Sequence, residues 1–580
     1  MTNGDVEANG GTISLGNTST IATDGKLDVS NSTLKLNAGL SVAGTLKTSS
    51  STLTLDNNAL DFSGGSAATG GVLEVNGYAL LDGMTFDDKS TIKLNSTTAL
   101  VSADPLTIKT VNMGAHSLIL YSDTTDLTVA DNITIGPTGG NGVLSSGKAD
   151  ITFNGPVNVL GGGIISEGGT VTFGTGAGAS SFAENTGMML DNTTLELKTS
   201  LNVNWLALSG ATSSLKTNGN ILTINEALQI GGGSELDLTS VATDNESGLY
   251  LSGDASITKT GDLVFKRIEL SGYTLTLNPT ITSLTAEKIY LPNNDNSSSN
   301  YMASTGEFLA QGVDVTLTKQ LRLEKGKMKM GAGTLTLEQG GELGEGGELD
   351  LSNSTLELSG PFYNHNGMGT LTTSASTLSL KSNVKFEPGN DVTFSTFEPN
   401  GWGMVLHNDM DNSSATTHLT LGTNGVDLLL QPNTEALTSG FVNYYSENGP
   451  EFSNDDHEIG IESHKVELTI NGKLTLKDNA TILGYEEDIS LGNLTLENGN
   501  ISLYEGTLSI AGGSVGENGL IRAGWQATLN LGGNLAVAGT LNLYHESSLN
   551  LAGNTLDLSG GKIEMSGSHN LGGITTDNAT

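Results

Sequence analysis

The residues best suited to hold a metal ion lie between 455 and 464, where Asp455, Asp456 and His457 are followed by Glu462 and His464. Imidazole nitrogen and carboxylate oxygen together suit a divalent cation. The spacing is not that of a zinc enzyme, because no H-x-x-x-H or H-E-x-x-H occurs and the chain has Cys 0. Asp455, Asp456 and His457 are the metal candidates, and a solvated acidic loop accounts for the same residues. Gly512-Gly513-Ser514-Val515-Gly516 spells the G-x-S-x-G nucleophile elbow, but that motif needs a strand-to-helix turn and no helical pattern follows. It reads as a coil corner. Glycoside hydrolysis would need two carboxylates about 5–10 Å apart, and 63 acidic residues single out no pair. A lyase of the pectate type would want calcium-binding carboxylates beside a basic residue, usually arginine. Only Arg267, Arg322 and Arg522 exist, spread along the chain. No catalytic residue is assigned and the chain is expected not to be an enzyme, a β-helical polysaccharide lyase or glycoside hydrolase being the rival.

Two groups of residues are candidates for binding. The span 361–464 holds five of the eight histidines, five of the ten prolines and ten aromatic residues. Rings beside carboxylates suit sugar or peptide binding, and Tyr363, Trp402, Phe441, Tyr444 and Tyr445 are the ligand candidates. Aromatic packing of longer loops would explain the same enrichment. The second group is basic: Lys319, Arg322, Lys325, Lys327 and Lys329 place five of the 25 cationic residues within eleven positions. Arg322, Lys327 and Lys329 could form a docking patch for an anionic partner. Alternatively they are outward strand positions that neutralise acids on adjacent strands.

The elements that must position these residues are short strands. Between Leu529 and Leu558 the triplets Leu529-Asn530-Leu531, Leu535-Ala536-Val537, Leu541-Asn542-Leu543, Leu549-Asn550-Leu551 and Leu556-Asp557-Leu558 alternate with Gly-, Asn- and Ser-rich turns. Leu529 recurs as Leu549, and near the start Leu34 recurs as Leu53 and Leu40 as Leu60. Alternation puts both leucines of a triplet on one face, and in a coil wound on itself that face is the interior. A unit that cannot bury its apolar face alone must stack on its neighbours. The expected fold is therefore all-β: a single elongated parallel β-helix, or β-solenoid, with three short strands and about 19–21 residues per coil and loop insertions. Regular solenoid is expected over 1–285, a polar loop insertion over 286–310, solenoid over 311–360, irregular coils with longer loops over 361–465, and regular solenoid over 466–580. The regular end reads as scaffold, and binding is expected in the irregular span and at the loop that begins at Pro292.

Composition narrows the function. A net charge of −38 argues against nucleic acid and anionic membrane surfaces as partners. No run of 18 apolar residues occurs, so no direct membrane insertion is expected in this segment. No residue pattern identifies a cofactor; weak calcium binding is the one the charge pattern suggests, since carboxylates on coils about 4.8 Å apart repel by roughly 0.9 kcal/mol even in water. Start and end both fall in mid-pattern, as in a fragment of something longer.

Repeated Ser/Thr-Leu-x-Leu, as in Ser32-Thr33-Leu34-Lys35-Leu36, Ser51-Thr52-Leu53-Thr54-Leu55, Ser354-Thr355-Leu356-Glu357-Leu358 and Ser376-Thr377-Leu378-Ser379-Leu380, resembles the β-helical stalks of bacterial secreted surface proteins. Autotransporter passengers and filamentous-haemagglutinin-like adhesins are the nearest families. The likeness spans most of the chain, although neither a C-terminal membrane barrel nor an N-P-N-G-type secretion signature is present. It implies an extracellular protein of the bacterial cell surface that displays binding loops or assembles into a fibre or layer. The implied partner is an extracellular or cell-surface protein or glycan, or another copy bound end to end; a surface-layer or filament subunit without its own ligand is the alternative.

Overall fold

A computed structural model describes the chain except residues 1–3, 49, 57–59, 62–65, 70, 82–83, 87–89, 291–305, 365–368, 408–416, 423–426, 432–459, 465, 567–573 and 576–580. About 60% of it is strand and 1% helix, in parallel sheets that make about 22 solenoid turns. Two compact units divide the chain, Met1–Lys266 and Arg267–Thr580.

In the first unit, the strands Gly4–Glu7, Thr12–Leu15 and Ser19–Ile21 form one coil. Gly4 pairs with Gly25, Thr12 with Thr33 and Ser19 with Leu40, the same sequence offset on each of three sides. Thr33 then pairs with Thr52, a slightly shorter step. The expected three-strand coil is thus present, and its length varies at the corners.

Register explains the core. Leu34 pairs with Leu53, Leu53 with Leu73, Leu73 with Ile92, and Ile92 with Val111, all of them buried. Each such side chain contributes about 1.5–3 kcal/mol by leaving water. The gain exists only because the next coil covers it. Aromatic residues can replace leucine in these ladders: Phe153 pairs with Phe173, with ring centroids 5.2 Å apart.

Corners carry residues that tolerate left-handed backbone or bond their own main chain. Asn31, Asn192 and Asn353 have φ of 57°, 50° and 60°. Asp28 accepts from the Ser30 amide at 3.1 Å, and Asp350 from the Ser352 amide at 3.0 Å. Gly187 answers a different need. It pairs with Trp205, and a β-carbon there would lie 1.9 Å from the Trp205 carbonyl oxygen.

In the second unit the coil absorbs insertions without losing register. Thr274 pairs with Glu307 and Ser283 with Asp314, so the extra residues fall between Tyr290 and Glu307. Residues 286–290, which the sequence places in the insertion, belong to the strand Ile281–Tyr290. Thr417 pairs with Val466 and Leu428 with Leu474 across a larger insertion. The G-x-S-x-G residues fall in the long strand Thr507–Ala523, where Gly513, Ser514 and Val515 pair with Leu535, Ala536 and Val537 on one side of the coil and Gly512 and Gly516 flank that side. Among the described residues no helix follows them, so the elbow geometry is lacking.

Candidate interaction faces

The basic candidates resolve into ion pairs between coils. Arg322 pairs in register with Glu342, Lys327 with Glu348 and Lys329 with Asp350. Their nitrogen–oxygen distances are 3.8, 3.1 and 3.6 Å. All three cations stand on outward strand positions. The Lys327 ammonium is held above its ordinary pKa, first by its hydrogen bond to Glu348 and then by the charge of that carboxylate. Partners one coil away consume most of the positive potential that a docking patch would need.

Of the aromatic candidates, Tyr363 points outward from the strand Phe362–Asn364, with Lys385 Nζ 5.3 Å from its ring centroid. Trp402 is half-buried at the corner after Asn400, whose φ is 53°. Phe441, Tyr444 and Tyr445 lie outside the described residues, as do the metal candidates Asp455, Asp456 and His457. Among the described residues no three His, Asp or Glu side chains converge as a bound metal ion requires. Several rings of the irregular span are core. Phe362, Phe386 and Phe394 are fully buried, with centroids 5.6 Å apart for the first two and 6.1 Å for the last two.

One histidine of that span occupies a built environment that spacing conceals. His418 Nδ1 lies 3.0 Å from Asp391 Oδ1, the same oxygen accepts the His418 amide at 2.9 Å, and His418 Nε2 lies 2.5 Å from Glu467 Oε2. The bond to Asp391 raises the imidazole pKa; partial burial opposes this, and the two carboxylate charges add to it. For Asp391, partial burial is outweighed by the bonds from His418, so its carboxyl is held low. The arrangement favours the charged imidazolium, each ring nitrogen facing a carboxylate. Both partners are remote in sequence, Glu467 lying across an insertion.

A second unanticipated feature belongs to the first unit. Along one sheet the outward positions run Tyr78, Ala99, Ile119, Ser145 and Ile165, each paired with the next. They continue through Met189, Ala207, which is itself buried, and Gln229 to Tyr250. Beside them Val143, Gly163, Gly187, Trp205, Ala227 and Gly248 form a parallel row. Neither row contains a charge. Tyr78, Ile119 and Met189 are 41%, 38% and 44% exposed. On another side of the same coils the outward residues include Glu74 and Lys93, 2.9 Å apart. In a chain of net charge −38, a long uncharged row with exposed apolar side chains marks a face suited to contact.

Comparison with protein-family models, with curated proteins and with solved structures finds no match.

Proposed function

We propose that this chain is a structural or adhesive component of a bacterial cell surface, acting outside the cell as a solenoid scaffold that binds without turnover. The observation that carries this reading is the uncharged outward row from Tyr78 to Tyr250. Stacked coils hold such a row in place through buried leucine ladders, so a partner meets a surface already ordered. The absence of charge lets a partner approach without the repulsion that an acidic surface of 63 carboxylates imposes elsewhere. Extracellular protein or glycan, or another copy of the chain, fits this chemistry. The repeated Ser/Thr-Leu-x-Leu pattern supports the surface assignment.

Antibody labelling of intact source cells tests the location: label on unbroken cells is expected, and label only after lysis overturns it. Adhesion of purified protein to matrix-coated wells tests the face. Met189→Glu should weaken adhesion by about tenfold while leaving the circular dichroism spectrum unchanged. Release of unsaturated or reducing ends from acidic or neutral polysaccharides would instead establish an enzyme.

A further inference from the structure

Tyr485, Tyr504, Trp525 and Tyr544 are the only Phe, Tyr or Trp residues of the stretch 466–580, and each follows the last at the spacing of one coil. Gly484 pairs with Leu503, Leu503 with Ala523 and Ala523 with Leu543, so the tyrosines follow their strands at one corner of these coils, Gly524 takes the third place in their column, and Trp525 stands one residue on, level with His545.

The corner is built to hold the rings outward. Tyr504 and Trp525 are 38% and 39% exposed, unlike the buried leucines of the same strands. The Trp525 and His545 rings lie 5.0 Å apart, tilted by 31°, and Tyr544 meets His545 edge-on at 4.6 Å. Arg522 covers the Tyr544 ring at 5.3 Å. Gln526, His545 and Glu546 have φ of 55°, 33° and 56°, a left-handed backbone on non-glycine residues that turns the chain sharply beside the rings. Gly524 permits the close stacking: a β-carbon there would lie 3.1 Å from the Tyr504 α-carbon.

Polar groups border this apolar platform. Gln526 Nε2 donates to Glu546 Oε2 at 3.0 Å, and Glu505 follows Tyr504. Amide, carboxylate and guanidinium groups beside rings exposed in consecutive coils suit a ligand with flat C–H faces edged by hydroxyls. Sugar rings in a chain repeat at a spacing close to the coil rise of about 4.8 Å. An anionic ligand is disfavoured by the surrounding carboxylates.

We propose that this corner is a binding site for a neutral oligosaccharide, its pyranose rings lying on Trp525 and Tyr504 and its hydroxyls bonding Gln526, Glu546 and Arg522. The inference deepens the scaffold reading by naming a ligand class, and it rests on that reading for the absence of turnover.

Titration calorimetry of the full chain tests the site with cellohexaose, mannohexaose, xylohexaose and hexagalacturonate as probes. At least one neutral hexasaccharide is expected to bind. Trp525→Ala should weaken it by about tenfold or more, while Trp525→Phe, which keeps an aromatic face, should retain most of the affinity. Tyr273→Ala controls for an exposed ring elsewhere, Tyr273 being 39% exposed, and should change nothing. Because Trp525 is exposed, the alanine variant should keep the parent's thermal midpoint. Binding of no neutral probe, binding indifferent to both Trp525→Ala and Tyr504→Ala, or preference for hexagalacturonate overturns the site. Product analysis on the same samples separates the two readings: new reducing ends would overturn the scaffold reading and leave the platform standing.

Discussion

Lys327 Nζ lies 3.1 Å from Oε2 of Glu348, the residue paired with it on the next coil. The same relation holds for Lys93 and Glu74 at 2.9 Å. A parallel solenoid converts a sequence distance of about one coil into side-chain contact, so charge pairing here is written at coil spacing.

Lys327→Ala should cost little, because an exposed pair contributes about 0–1 kcal/mol. Lys327→Glu should cost more, since it sets two carboxylates opposite each other. Thermal melts in low salt and in 1 M NaCl check this: the difference between the variants should shrink as salt screens the charges.

His418 predicts a stability that changes with pH. Its folded pKa is raised above the ordinary 6.5, so its contribution is fully present below that value and is lost as pH rises through the folded value. Asp391 behaves oppositely. Its pKa is lowered from 3.8, so its contribution is present above that value and is lost as pH falls through the folded one. The cluster is therefore strongest between the ordinary values of the two groups. His418 is half-exposed, which limits the effect to about 1 kcal/mol or less. The melting temperature of wild type should fall more than that of His418→Asn between pH 5.5 and 8.5; parallel profiles would show that the cluster contributes nothing.

Phe386→Ala removes the middle ring of the Phe362–Phe386–Phe394 group. It should destabilise its coils by about 3–5 kcal/mol. Amide exchange should accelerate around residues 362–394 first, because each repeat contacts mainly its neighbours. Uniform acceleration along the second unit would contradict that locality.

Gly187→Ala should be strongly destabilising, as its β-carbon would lie 1.9 Å from a backbone oxygen of the adjoining coil. Gly16→Ala is the control, with nothing within 4 Å of its β-carbon. It should change stability by less than about 1 kcal/mol. Urea midpoints of the two variants are the measurement.

Strand, coil and inward face were all legible in the residues. Leu34 and Leu53 recur at coil spacing, and a period of two leaves Lys35 and Thr54 no side but the outward one. The tyrosines at 485 and 504 also follow that spacing, but a ring at a corner and a ring in the core look alike until their exposure is known. Phe386 and Trp525 show the two outcomes, one buried and the other 39% exposed.

What only the tertiary structure decided is which outward residues meet. Asp391, His418 and Glu467 come together because the strands stay paired across insertions of unequal length. Sequence separation then ceases to measure distance. The uncharged row from Tyr78 to Tyr250 has the same origin: its members stand one per coil at unequal sequence separations, a spacing that no fixed period reveals. Hydrophobic alternation determined the coil, because burial demands it locally. Corner length determined the surface, because it sets which side chain of one coil lies above which side chain of the next.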